Sequence, residues 1–144
     1  MAEMERQHHV SIKFKHVKVQ VISGLFFNEQ TDIVVNSTSQ KLQLQDGMGS
    51  KALLQAAGSN IQQAVSSDYP NGVQLGEIAI TGGHNLYCAI VYHCCLGKWS
   101  ESEKNAAEKI LKKIVSGSLK QANETDNVQS ITFPALGRGA KISS

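Results

Sequence analysis

Ser130–Ala140, SITFPALGRGA, is the stretch whose reading decides the fold. Ile131 and Phe133 sit in an apolar run short enough for a buried strand, and Pro134, with no N–H to offer a ladder, closes it. A Gly-x-Gly loop follows at Gly137 and Gly139. Glycine lets the backbone curl there with successive N–H groups pointing inward, which cradles a phosphate without a cation. A strand running into such a loop belongs to a doubly wound α/β unit, where a helix aimed at the phosphate comes next. Here the chain stops at Ser144 instead.

Upstream, the pattern alternates strands with helices. Val17–Ile22 alternates apolar and polar residues, as a strand with one wet face does, and Ile33-Val34-Val35 reads as a central buried strand. After Asn36-Ser37-Thr38-Ser39 a polar loop runs to Gly49, and Ser50 is the expected N-cap of a helix over Lys51–Ala57. Gly58 interrupts that helix, and Ile61, Ala64 and Val65 carry its apolar stripe on to Ser66. Tyr69-Pro70-Asn71-Gly72 is turn chemistry, and strands are expected at Glu77–Thr81 and Ala89–Cys94. Glu103–Gln121 carries Ala107, Ile110, Leu111, Ile114 and Val115 at helical spacing, with a loop expected at Asn123–Asn127. Residues 1–16 read as an N-terminal tail or a short opening strand, and residues 17–144 as one α/β domain.

Composition narrows the function classes. A length of 144 residues suits a single domain with a sizeable core. The net charge of +2 gives no electrostatic case for nucleic-acid binding. No apolar run approaches the roughly 20 residues of a membrane span, and no signal-peptide pattern opens the chain. Three cysteines, two of them adjacent, do not make a disulfide framework, so an intracellular location, cytoplasmic or nuclear, is expected.

Two glycine loops carry the chemistry. One follows Ile33–Val35 and holds Gly47 and Gly49; the other follows Ile131–Phe133. At neighbouring strand ends they would clamp a diphosphate from both sides. Competing motifs are weaker. Adjacent strand residues point to opposite faces, so Cys94 and Cys95 do not share a metal ion, and no metal site is expected from them with Cys88 and His93, nor from His8-His9. Leu96-Gly97-Lys98 is no P-loop, since Tyr92 stands where its first glycine belongs and Trp99 replaces Ser/Thr; Trp99 is expected to pack on the following helix. Lys104, Lys109, Lys112 and Lys113 form the wet face of that helix.

Four blocks, GLFFNEQTDIVVNSTS (24–39), DGMGSKALLQAAG (46–58), GEIAITGGHNL (76–86) and SITFPALGRGA (130–140), together resemble the macrodomain family. Within the family, the stretch NSTSQKLQLQ…SKALLQAAG (36–58) is most similar to the macrodomains of the multi-macrodomain, B-aggressive-lymphoma-type ADP-ribosyltransferases. The resemblance implies a three-layer α/β/α fold with a mixed central sheet, lacking its last elements in this chain, that binds ADP-ribose or mono-ADP-ribosylated protein. It also implies a ligand set. Leu25 and Phe26 lie on the adenine side, with Leu25 at the family's adenine-binding aspartate, a replacement worth ~1–3 kcal/mol of lost hydrogen bonding. Asn36 and Ser39 lie near the distal ribose, Ser39 standing for the family's second asparagine. Gly47, Met48, Gly49 and Ser50 form the first phosphate loop; Leu136, Gly137, Arg138, Gly139 and Ala140 form the second. With Ser39 in place and Asp46 the one nearby loop carboxylate, the expected role is a reader with no catalytic residue and no cofactor beyond ADP-ribose itself as ligand. The alternatives are ADP-ribosyl-protein hydrolysis through Asp46, or a degenerate domain kept as a protein scaffold.

Overall fold

The computed structural model describes residues 9–22, 30–97 and 101–134. Its elements run β1 (His9–Phe14), β2 (Val17–Ile22), β3 (Ile33–Ser37), α1 (Met48–Ala57), α2 (Asn60–Asp68), β4 (Ile78–Gly82), β5 (Ile90–Cys94), α3 (Lys104–Glu124) and β6 (Ser130–Pro134). The strands form one six-stranded sheet in the order β1-β2-β6-β3-β5-β4. The four inner strands are parallel, and β1 and β4 are antiparallel edges. The mixed sheet expected from sequence is present.

Strand alternation sorts the core into two layers. Val34, Ala79, Val91 and Cys95 face α1 and α2, where Leu53, Ala57, Ile61 and Val65 meet them. Ile33, Val35, Tyr92, Cys94 and Ile131 face the opposite way, onto Ile114 and Ala122 of α3. Helices thus cover both faces, because β3–β5 crosses over on one side and β5–β6 on the other, past β3.

Asp32 fixes the pairing that matters most for the site. Its Oδ2 accepts from Gln129 N (2.7 Å) and Ser130 N (3.2 Å), while Asp32 N donates to Ser130 Oγ (2.9 Å). Thr31 and Thr132 join hydroxyls at 2.8 Å in the same seam. These bonds dock the start of β6 against the start of β3, so both strands end side by side.

Some expected boundaries shift. The stripe around Lys51–Ser66 is two helices: Gly58, at φ +96°, ends α1, and Asn60 begins α2. The helix expected to end at Gln121 runs to Glu124, and its buried residues are Ile114, from the predicted stripe, with Ser118 and Ala122 one and two turns further on. Ser118 and Ala122 are small, which lets that turn approach the sheet closely. Trp99 lies outside the described residues.

Candidate functional site

The C-terminal ends of the parallel strands carry the candidate site, and β3 delivers most of what is described. Past Ser37, Thr38 N donates to Cys94 O (2.8 Å), extending the β3–β5 ladder by one bond. The chain then folds into a loop that the sequence marks as polar but that Leu42 and Leu44, both fully buried, anchor in the core. Gln62 of α2 clamps it, accepting from Leu44 N (2.8 Å) and donating to Leu42 O (3.0 Å). Gly72 abuts the loop so closely that a Cβ there would lie 2.1 Å from Gln40 O. Ser39 caps the loop's first turn, its Oγ accepting from Gln43 N at 3.1 Å.

The loop ends at Gly47, whose φ of +95° favours glycine, and α1 begins at once. Ser50 is therefore not the N-cap. Gly47 holds that position without a side-chain bond, and Ser50 lies in the first turn, buried, with its Oγ donating to Thr38 Oγ1 (3.0 Å). An apolar-facing seat is available for the serine because Thr38 offers it an acceptor. Lys51 N bonds Gly47 O at 3.0 Å, so the helix itself leaves the amides of Met48, Gly49 and Ser50 as donors, and none of them has a partner outside the helix among the described residues. With no acidic residue in the first turn, this positive end of the helix dipole suits an anion. Among the described residues, a Cβ at Gly49 would meet no atom within 4 Å, so the space beside that turn is open to them.

Asn36 is placed differently from Ser39. It is buried on the α1/α2 face, where its Nδ2 lies 3.2 Å from His93 Nδ1. His93 Nε2 lies 3.0 Å from Thr81 Oγ1, which donates its own proton to Gly82 O (2.9 Å). The chain of bonds assigns the tautomer: Nε2 carries the proton and donates to Thr81, and Nδ1 accepts from Asn36. Burial, with a smaller contribution from the charge of His84, lowers the His93 pKa from 6.5 to about 4. The ring is neutral. Sequence reasoning missed this row, although a polar residue in each of three apolar strand runs (Asn36, Thr81, His93) was the visible signal.

The remaining residues divide clearly. Cys94 packs under α3 and Cys95 under α1 and α2, so the adjacent pair does occupy opposite faces. Burial pushes the Cys88 thiol up to about 11 and Cys94 to about 12. Among the described residues, no three His, Cys, Asp or Glu side chains are grouped to hold a metal ion. Asp46 is exposed on the loop, its backbone N bonded to Gln43 O (2.9 Å). An open cleft of about 380 Å³, lined by Lys41, Gln43, Pro70, Asn71 and Gly72, includes none of the expected ligand contacts. Leu25, Phe26, Leu136, Gly137, Arg138, Gly139 and Ala140 lie outside the described residues.

Comparison with known proteins agrees with this architecture. The family model described as Macro domain matches residues 35–142. The human protein mono-ADP-ribosyltransferase PARP14 is 33% identical over 113 residues, 78% of this chain and 6% of PARP14. The uncharacterized protein FN1951 of Fusobacterium nucleatum is 30% identical over 122 residues, 84% of this chain and 67% of that protein. Among solved structures, the Oceanobacillus iheyensis macrodomain with ADP superposes with a TM-score of 0.78 at 21% identity, covering 92% of this chain and 70% of that one.

Proposed function

The chain belongs to the macrodomain family, and on that premise we propose that it binds ADP-ribose, free or carried singly on a modified protein, as a reader without hydrolase activity. The observation that carries this reading is the open first turn of α1. Three backbone donors stand there beside the end of β3, next to the strand from which the second glycine loop departs. A diphosphate meets the helix dipole and amide hydrogens without needing a lysine or arginine. The ADP held by the Oceanobacillus iheyensis macrodomain and the mono-ADP-ribosyl chemistry in the name of PARP14 point to the same ligand class.

Recognition is uneven along the ligand. The phosphate loops keep their glycines, whereas Leu25 offers the adenine no carboxylate and Ser39 presents a shorter group to the ribose. Affinity is correspondingly modest. The same substitutions argue against turnover: a hydrolase must activate water at the distal ribose, and Asp46, exposed on its loop, has no described partner that orients it. Three free cysteines and no disulfide among the described residues fit a reducing compartment, and our reading is that the reader acts inside the cell, in cytoplasm or nucleus.

Calorimetric titration with ADP-ribose, ADP and AMP tests the reading. Binding of the first two and not of AMP is expected if the diphosphate dominates. Failure of ADP-ribose to bind overturns the proposal in favour of a scaffold. Release of ADP-ribose from a singly modified protein overturns the non-catalytic part.

A further inference from the structure

The geometry points to His93 as a positioning residue that holds Asn36, and with it the Ser37–Ser39 segment, in the conformation the ligand meets. The case begins with direction. The row runs one way, Asn36 Nδ2–H to His93 Nδ1, His93 Nε2–H to Thr81 Oγ1, and Thr81 O–H to Gly82 O. All three side chains are buried, and they come from β3, β5 and β4: the chain of bonds passes straight across from Asn36 to its ladder partner His93, then diagonally to Thr81, two residues along β4 from His93's partner Ala79. Asn36 and His93 are also direct partners in the ladder, which places the side-chain bond over a backbone register that already matches.

Its position along β3 gives the row its consequence. Asn36 is the last fully buried residue of the strand; Ser37 pairs with Cys94, and Thr38 bonds Cys94 O before the chain turns to Ser39. Thr38 is in turn the acceptor for Ser50 in α1. His93 and Cys94 therefore hold one side of the segment, and the phosphate-binding turn holds the other. An amide free to rotate at Asn36 would loosen the strand end that carries Ser39 and leads to the first glycine loop. A neutral, Nε2-protonated imidazole is the one form of His93 that keeps an acceptor for Asn36 and a donor for Thr81.

This inference rests on the proposed binding of ADP-ribose, and a pair of substitutions separates it from plain structural support. In H93N the side-chain amide reaches the place of Nδ1, where its oxygen accepts from Asn36, but it stops short of Thr81. In H93Q the amide reaches the place of Nε2 and donates to Thr81, but leaves Asn36 without its acceptor. Each variant keeps one bond and loses one. Titration of ADP-ribose into wild type and both variants, alongside urea unfolding, is expected to show H93N binding within about threefold of wild type. H93Q is expected to bind about tenfold more weakly or worse at similar stability. Equal loss of affinity in both variants, or no loss in either, overturns the assignment. Should wild type itself fail to bind, the Asn36 side-chain amide signals in an NMR spectrum decide the matter. Signals shifted or broadened in H93Q alone, with Ser37–Ser39 broadened too, uphold positioning; unchanged signals in H93Q reject it.

Discussion

Ser50 Oγ donates to Thr38 Oγ1 across 3.0 Å, in a buried setting that ties the first turn of α1 to the segment leaving β3. The two residues are the hinge between the strand end that carries Ser39 and the helix end that offers its amides. Thr38 passes its own proton to Gln43 O at 3.3 Å, so the Ser50 proton has no competitor for the Thr38 oxygen.

Removing that hydroxyl unties the first turn of α1 from the segment leaving β3. S50A is expected to lower stability by about 1 kcal/mol, the usual worth of one neutral hydrogen bond, and to weaken ADP-ribose binding more than its stability loss explains. Urea unfolding and calorimetry on the same sample check it. A variant as stable and as tight as wild type rejects the hinge.

Gly49 separates binding from folding. Its backbone is not left-handed and a Cβ there meets nothing within 4 Å among the described residues, so valine is expected to be accommodated, with a stability change within about 1 kcal/mol. The branched side chain then stands beside the amides proposed to meet the phosphates. G49V is expected to keep the melting temperature and lose ADP-ribose binding at least tenfold; retained binding shows that this turn does not hold the ligand.

Acid weakens the fold through His93. Unfolded, the imidazole takes a proton near 6.5; folded, burial and then His84 hold it off until about 4. The unfolded chain binds the extra proton within that window, so the stability from this group is complete above about 6.5 and is lost as pH falls toward 4. The loss from pH 7 to pH 5 is about 2 kcal/mol, reaching about 3 kcal/mol at the lower limit. Urea unfolding at both pH values, compared with H93Q, isolates it: the variant's pH slope is expected to be flatter, and an identical slope contradicts the assignment.

Ser118 is a liability at the α3–sheet contact. It is wholly buried, and its Oγ has no hydrogen-bond partner among the described residues. S118A removes an unmet hydroxyl and adds helix propensity, so a gain of about 1 kcal/mol is expected. Destabilisation in the urea curve shows that the hydroxyl is satisfied in solution.

Much of this was legible in the sequence because periodicity reports local burial. Ile33–Val35 reads as an inner strand from its unbroken apolar run, Ile131–Phe133 as a buried strand from its two apolar residues ahead of Pro134, and the α3 stripe from its spacing. What local pattern does not report is register. That Asn36 faces His93, or that Asp32 reaches Ser130 across 98 residues, depends on which strands become neighbours. The misplacement of Ser50 has the same origin. A serine before a helical run looks like a cap until Thr38, twelve residues earlier, is found beside it. Leu42 and Leu44 likewise sat in a stretch that reads as polar, yet they bury completely and make the loop part of the core.

The most direct test is an amide-correlation NMR titration of the labelled chain with ADP-ribose. Saturable shifts at Met48, Gly49 and Ser50, joined by Ser39, Gly137 and Gly139, are the predicted result. A dispersed spectrum in which those amides ignore ADP-ribose would contradict it and leave the domain as a scaffold.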